Sequence, residues 1–136
     1  MQRLKTRPQF QAVLAGTIVA KTLHFVLHRN VLAAKAVPNR AGKQVDAPVL
    51  FREQDMWIGA MVPKRWAKRA VTRNAIKRQI YTVSAEFSHL YPQAAFVVRL
   101  RSSFSRTEFV SAVSDLLKQA VRAEVQALMH AGALAP

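Results

Sequence analysis

The strongest constraint on the fold of this chain comes from residues 64–78, which read KRWAKRAVTRNAIKR. These fifteen residues hold seven Lys or Arg and no acidic residue. Such a run repels itself unless a negative partner lies against it, so we expect its side chains to project from a folded scaffold towards that partner. The identity of the partner is therefore the central functional question.

The second half of this run is predicted to form an amphipathic helix from about Val71 to Ser88. Apolar residues with helical spacing continue beyond the run, and they fall in one sector of a helical wheel at about 100° per residue. They are Ile76, Ile80, Val83 and Phe87. The adjacent sector is mainly cationic. It contains Arg73, Asn74, Lys77, Arg78 and Tyr81.

The cationic sector has the chemistry of a phosphate-binding surface. Helical spacing sets Arg73 and Lys77 about 5 to 6 Å apart at Cβ, which suits successive phosphates of a folded nucleic acid better than one small anion. Arg grips a phosphate through two parallel N–H bonds, and Asn74 can hydrogen-bond a phosphate, a 2′-OH or a base edge. A face that only keeps a protein soluble normally mixes charges of both signs. Charge alone does not separate RNA from DNA.

The whole chain is basic, yet it is rich in apolar residues. Its 136 residues include 21 Lys plus Arg against 7 Asp plus Glu, a formal net charge of +14, and 51% of the residues are hydrophobic. A disordered basic tail would be much less hydrophobic. We therefore expect one folded domain over residues 1–136 that associates with a polyanion, either nucleic acid or an anionic membrane surface.

Composition also restricts the catalytic and metal sites that this chain can build. The absence of cysteine excludes disulfides, thiolate nucleophiles and Cys-based zinc sites. Four scattered His residues lack carboxylates at metal-ligand spacing, and we interpret them as structural or surface residues. They are His24, His28, His89 and His130. Asp46, Glu53 and Asp55 are the nearest approach to an acidic cluster, and without His support we expect neither a catalytic nor a metal-binding role for them.

Hydropathy argues against a membrane protein. No apolar stretch reaches the roughly 18 residues that a membrane-spanning helix needs, and the first residues lack the apolar run of a secretory signal. A basic amphipathic helix can lie on a membrane surface, but the helix predicted here lacks a Trp- and Leu-rich apolar face. We therefore expect a cytoplasmic protein that binds no membrane.

The remaining patterns predict an α+β fold with element order α-β-β-(β)-α-β-α. Thr6 and Gln9 have capping-box spacing and begin a short helix over about 7–15, which Gly16 is expected to end. Strands are predicted over 22–29, 55–63 and 96–101. Residues 30–54 lack a sustained period and are predicted to form a long loop or irregular hairpin, with an extra strand as an open alternative.

A long C-terminal helix completes the predicted order. A second capping box at 105–108 begins it, and Gly132 is expected to end it. Its predicted buried stripe is Phe109, Ala112, Val113, Leu116, Leu117, Ala120 and Leu128.

Residues 62–78, VPKRWAKRAVTRNAIKR, resemble the signature of the protein subunit of bacterial ribonuclease P. In that family a helix carries an R-N-x-x-K-R core after a basic V-x-K-[KR] segment, and the strand-loop-helix context makes the motif specific. The likeness extends over 4–16, 24–29, 57–65 and 95–101. It therefore covers most of the chain apart from 30–54.

The resemblance implies an RNA-binding protein that assists a catalytic RNA. That RNA, with its bound magnesium, removes the 5′ leader from precursor tRNA, and the protein subunit holds no cofactor and supplies no catalytic residue. Its partners would be the catalytic RNA and precursor tRNA, not DNA. The resemblance also implies a left-handed β-α-β crossover, against the general right-handed preference.

The first surface implied by the resemblance contacts the catalytic RNA. Its expected residues are Lys64, Arg65, Lys68, Arg69, Arg73, Asn74, Lys77, Arg78 and Tyr81. Two positions depart from the family pattern, since Tyr81 replaces a usual Arg and Ala95 replaces a frequent Asp before the last strand. We expect Tyr81 to stack on a base or hydrogen-bond a phosphate.

The second implied surface is a cleft between the first helix and the sheet, which takes the single-stranded leader. Its expected lining is Phe10, Leu14, Phe25, Arg99 and Arg101. The pair Phe10 and Leu14 fits a buried core equally well, and only Arg101 of the two arginines matches a basic position of the family. A generic RNA-binding or ribosomal protein, with a basic surface and no such cleft, is the main alternative.

Overall fold

The computed structural model describes residues 1–33, 50–104 and 115–135. The elements in these ranges are β1 (Gln2–Arg3), α1 (Arg7–Leu14), β2 (Thr17–Lys21), β3 (Phe25–Asn30), β4 (Trp57–Met61), α2 (Ala70–Phe87), β5 (Ala95–Leu100) and α3 (Asp115–Leu134). A short 3-10 turn over Ser88–Leu90 follows α2. The predicted α+β class is confirmed, and the described residues form five strands where the sequence pattern predicts three or four.

The five strands in this part of the chain form one mixed sheet in the order β1-β4-β5-β3-β2. β4 runs parallel to both β1 and β5, whereas β3 is antiparallel to β5 and β2. β4, α2 and β5 therefore make a parallel β-α-β unit. Its left-handed crossover stays a prediction, as does the single domain over residues 1–136.

The sheet separates two hydrophobic cores. One face packs against α2 and α3, and every second residue from 56 to 62, within β4 and at its two ends, lies in this core. These are Met56, Ile58, Ala60 and Val62. The opposite face packs against α1. Its buried residues are Leu4, Val13, Phe51, Trp57, Ala95 and Val97.

The N-terminal region differs from its prediction in how the first helix ends. The capping box at Thr6 and Gln9 is present, and α1 ends at Leu14 with Ala15 as its C-cap. Gly16 has a different role, because a Cβ there would lie 2.1 Å from the carbonyl oxygen of Arg29. Glycine is therefore required for the close approach between this turn and β3.

The C-terminal helix also differs from its prediction. Gly132 lies inside α3, where an added Cβ would come within 2.5 Å of Leu27 Cδ2 and Tyr91 Oη, so it allows close packing instead of ending the helix. Leu117 and Leu128 are buried as predicted, but Leu116 is 65% exposed. The capping box at 105–108 and Phe109, Ala112 and Val113 lie outside the described residues.

The loop prediction over 30–54 falls mostly on residues 34–49, which also lie outside the described ranges. Across those ranges, no helix combines the length and the apolarity needed to cross a bilayer.

Candidate nucleic-acid interface

The loop that precedes α2 is anchored by two of its apolar residues. The backbone amides of Trp66 and Ala67 both donate to the Pro63 carbonyl, at 3.1 and 3.2 Å. Ala67 is buried in the core beneath α2, and Trp66 packs against it. The basic residues on either side of these two anchors are consequently turned outwards. Lys64, Arg65, Lys68 and Arg69 are all exposed.

Helix α2 continues this exposed basic region. Ile76, Ile80 and Val83 are buried, as their spacing predicts, and they fix the rotation of the helix. Asn74 and Arg78 are therefore exposed, and Arg73 and Lys77 are half-buried beside the apolar side. We call the loop and helix residues together the basic surface: Lys64, Arg65, Lys68, Arg69, Arg73, Asn74, Lys77 and Arg78.

Arg73 joins the two halves of the basic surface. Its Nη1 atom donates to the carbonyls of Ala67 and Lys68, at 3.0 and 2.8 Å. Both bonds come from the same guanidinium nitrogen, so the N–H donors on the other two nitrogens stay available for an anion. Arg73 therefore braces the loop while keeping the capacity to bind a phosphate.

The basic surface has no carboxylate partner in the described part of the chain. The ion pairs formed there join the N-terminal ammonium to Asp55, His24 to Glu124, and Arg122 to Glu86. The first turn of α2 holds no acidic residue, and no side chain caps it. The positive end of the helix dipole therefore adds to the local positive potential.

Tyr81 occupies the end of the same helix face, but both its hydroxyl and its ring have partners within the protein. The hydroxyl accepts a hydrogen bond of 3.2 Å from the backbone amide of Ala60 in β4. The guanidinium carbon of Arg3 lies 4.1 Å from the ring centroid. Arg3 comes from β1, which sequence periodicity does not predict.

A second region lies on the α1 face of the sheet. Phe10 and Leu14 are both half-buried there, and Phe10 packs so closely on β4 that a Cβ at Gly59 would lie 2.5 Å from Phe10 Cε1. Side chains alternate along β5, so Arg99 shares this face with the buried Val97. The same face of the sheet therefore carries an aromatic ring, an aliphatic side chain and a guanidinium.

Arg99 is held by a neighbouring strand. Its Nε atom donates a hydrogen bond of 3.1 Å to Nε2 of His28 in β3. Burial, followed by the charge of Arg99, lowers the pKa of His28 below its ordinary value of 6.5. His28 is therefore neutral at pH 7 and can accept this bond.

The family model for ribonuclease P matches residues 1–124. The chain belongs to the ribonuclease P family. It is 32% identical over 125 residues to the ribonuclease P protein component of Bordetella parapertussis, an alignment that covers 92% of this chain and 86% of that protein. It is 35% identical over 95 residues to the ribonuclease P protein component of Trichormus variabilis, with 68% of this chain and 66% of that protein covered. As a member of this family, the chain is a ribonuclease P protein component.

Solved structures of ribonuclease P proteins share this fold. The protein from Staphylococcus aureus matches with a TM-score of 0.61 and 18% identity, covering 96% of this chain and 94% of that chain. The protein from Thermotoga maritima matches with a TM-score of 0.60 and 18% identity, covering 95% and 96% of the two chains. At this identity the likeness shows the fold alone.

One residue predicted to line the ribonuclease P leader cleft lies on the other side of the sheet, and the place of a second, Arg101, in the cleft stays a prediction. Phe25 is 0% exposed in the core beneath α2 and α3, on the opposite side of the sheet from α1, so its predicted place in the cleft is wrong. Arg101 is exposed beyond the end of β5, and its Nε and Nη2 atoms donate to the Thr22 carbonyl at 3.0 and 2.6 Å. Its guanidinium therefore fastens the β2–β3 turn.

Sequence reasoning missed Arg3 and the partnership of His28 with Arg99. Both depend on strand pairings between distant segments, and no local pattern reports them. In the residues that the structure describes, no group of three or more His, Cys, Asp or Glu side chains is arranged to hold a metal ion.

Proposed function

We propose that the basic surface of this ribonuclease P protein binds the RNA subunit of the enzyme. The observation that carries the proposal is the set of exposed and half-buried cations on α2 and its braced loop, which lack carboxylate partners among the described residues. Unneutralised charges fixed on one rigid helix favour a polyanion that is itself rigid. A structured RNA supplies phosphates at comparable spacing.

The geometry of the helix favours several phosphates over a single small anion. Arg73 and Lys77 are neighbours on α2, about 5 to 6 Å apart at Cβ. The remaining N–H groups of Arg73 can grip a phosphate in a fork, and Lys77 adds a point charge. Asn74, exposed beside them, can hydrogen-bond a 2′-OH, which is the group that distinguishes RNA from DNA.

The second part of the proposal concerns precursor tRNA. We propose that Phe10, Leu14 and Arg99 line a cleft on the α1 face that takes the single-stranded 5′ leader. A half-buried phenylalanine offers a plane for a base, and stacking of this kind contributes about 1 to 3 kcal/mol per base. Arg99 is held by His28 in a position to neutralise a leader phosphate.

In this proposal the protein contributes binding, and the RNA subunit performs the hydrolysis with magnesium that it holds itself. Four carboxylates of the described segments take part in ion pairs or hydrogen bonds, and none of these interactions involves a residue of the basic surface. They are Glu53, Asp55, Glu86 and Glu124. A cytoplasmic location is part of the same proposal.

A generic RNA-binding protein is the alternative, and a cleavage assay separates the two. The experiment measures precursor-tRNA cleavage by a bacterial ribonuclease P RNA at low magnesium, with and without the protein. We expect strong stimulation by the wild type and weaker stimulation by Lys77→Ala/Arg78→Ala. Lys21→Ala, at the far edge of the sheet from β1, is the matched control. RNA binding without stimulation would support the alternative.

A further inference from the structure

We infer that Arg3 is an additional RNA-contacting residue, which Tyr81 positions at the C-terminal end of the basic surface. The inference rests on the proposed function of that surface and extends it to a second segment of the chain. Three structural features support it: the position that β1 gives the Arg3 guanidinium, the contact of this group with Tyr81, and the N–H donors of Arg3 that remain available.

The backbone of Arg3 is fixed on both sides. The backbone amide of Gln2 donates to the Met56 carbonyl at 2.8 Å, and the backbone amide of Leu4 donates to the Ile58 carbonyl at 2.9 Å. Leu4 is buried in the core beneath α1, so alternation places Arg3 on the other face of the sheet, where α2 packs. Short as it is, β1 therefore delivers Arg3 to a defined position beside α2.

Tyr81 provides a rigid support for the guanidinium. Its ring packs against the core beneath α2, and its hydroxyl accepts the hydrogen bond from the Ala60 amide. The guanidinium carbon of Arg3 lies 4.1 Å from the ring centroid, within the range of a cation–π contact. A guanidinium held in this way is ordered before any ligand arrives, so it loses less conformational entropy on binding.

The stacked guanidinium keeps its hydrogen-bonding edge. A cation–π contact uses the face of the guanidinium, whereas all five N–H donors lie in its plane. Arg3 is exposed, and no ion pair in the described ranges involves it. Its donors can therefore form parallel bonds to a phosphate while the stacking persists.

Helical geometry aligns Arg3 with the basic surface. Tyr81 follows Lys77 by four positions and Arg78 by three, so it is a neighbour of both on the surface of α2. A guanidinium over the Tyr81 ring thus extends the series of cations on the helix by one turn. The ligand implied is one more phosphate of the same RNA that Lys77 and Arg78 contact.

The test measures how the affinity of the purified full-length protein for ribonuclease P RNA depends on salt concentration. The plot of log K against log salt has a negative slope, and its magnitude decreases by about 0.7 to 0.9 for each phosphate that the protein no longer neutralises. We expect Arg3→Ala to decrease the magnitude of the slope by the amount for one phosphate. Tyr81→Ala should lower it equally, the double variant should lower it no further, and Tyr81→Phe, which keeps the ring, should retain the wild-type slope.

Lys77→Ala separates failure of this inference from failure of the proposed function. If Lys77→Ala lowers the slope and Arg3→Ala does not, the basic surface binds RNA and Arg3 takes no part, which overturns the inference alone. If neither variant changes the slope, both are overturned. An effect of Tyr81→Ala without any effect of Arg3→Ala would assign the contact to Tyr81 itself and would also overturn the inference. Circular dichroism and thermal unfolding confirm that each variant is folded.

Discussion

Arg99 on β5 donates a hydrogen bond to His28 on β3, with 3.1 Å between Arg99 Nε and His28 Nε2. In the sheet register Val97 lies opposite His28 and Val26 lies opposite Arg99, so the two residues are diagonal neighbours on the α1 face. His28 must be neutral to accept this bond. The pair therefore links the position of a charged residue in the proposed leader cleft to the protonation state of a buried imidazole.

The first prediction concerns stability and pH. Burial and the charge of Arg99 lower the pKa of His28 in the folded protein below the 6.5 of an unfolded chain. As the pH falls below about 6.5, the unfolded chain therefore takes up a proton first, and the free energy of unfolding decreases. Urea unfolding between about pH 8 and 5 measures this loss. His28→Gln should have a flatter profile, whereas exposed His130→Gln should match the wild type, and coincident profiles for all three would contradict the prediction.

The second prediction concerns Arg99 and the leader. Arg99→Ala should weaken binding of precursor tRNA to the holoenzyme by about 1 to 2 kcal/mol, roughly 5- to 30-fold, because the variant has no guanidinium to pair with a leader phosphate. Affinity for mature tRNA, which has no leader, should be unchanged. Arg99→Lys should restore part of the affinity. Equal weakening for both RNAs would place the effect outside the leader cleft.

The third prediction concerns Phe10. Phe10→Leu keeps an apolar side chain on Gly59 but removes the aromatic plane, so the protein should unfold at nearly the wild-type temperature. Its preference for precursor over mature tRNA should fall by about 1 to 3 kcal/mol, the contribution of one stacked base. Equilibrium binding of the two RNAs measures this preference. Phe10→Ala, which also leaves a cavity, should lose stability as well. If Phe10→Leu keeps the full preference, Phe10 belongs only to the core.

The fourth prediction concerns the brace between Arg73 and the loop. Arg73→Lys keeps the charge but has a different donor geometry, so the bonds to the Ala67 and Lys68 carbonyls are weakened or broken. We expect trypsin to cut the basic loop at 64–69 about tenfold faster, since hydrogen bonds from a charged donor contribute about 1.5 to 3 kcal/mol. Mass spectrometry of the first fragments measures the rate. Lys77→Arg is the control, and it should be cut in the loop at the wild-type rate.

Elements with an uninterrupted local pattern could be predicted from the sequence. The buried stripe of α2 and the inward face of β4 both follow a regular period, and the structure confirms them. β2 escapes prediction because its register shifts between Ile18 and Ala20, which breaks the alternation that identifies a strand. β1 has only two residues, and it exists because β4, more than fifty residues away, offers an edge for pairing.

One part of the candidate site could also be predicted from local sequence patterns, and the other part could not. The basic surface follows from helical spacing and composition, because a long apolar stripe fixes which residues of α2 face outwards. The lining of the cleft could not be predicted in this way, because alternation along a strand does not determine which helix covers which face of the sheet. Phe25 lies opposite Leu100 on the face of α2 and α3, and that pairing was needed to exclude it from the cleft. The stacking of Arg3 on Tyr81 joins residues far apart in sequence and required the full tertiary structure.

The strand order has a consequence for synthesis on the ribosome. β5 lies between β3 and β4, although both precede it in the chain. Neither earlier strand meets its central partner until Leu100 has emerged from the exit tunnel, so the sheet cannot close before that point. Until then the nascent chain has two unpaired strand edges, on β3 and β4, and a strongly basic segment that follows β4. A polyanion bound to this segment during synthesis would reduce the repulsion between its charges before β5 pairs with the two strands.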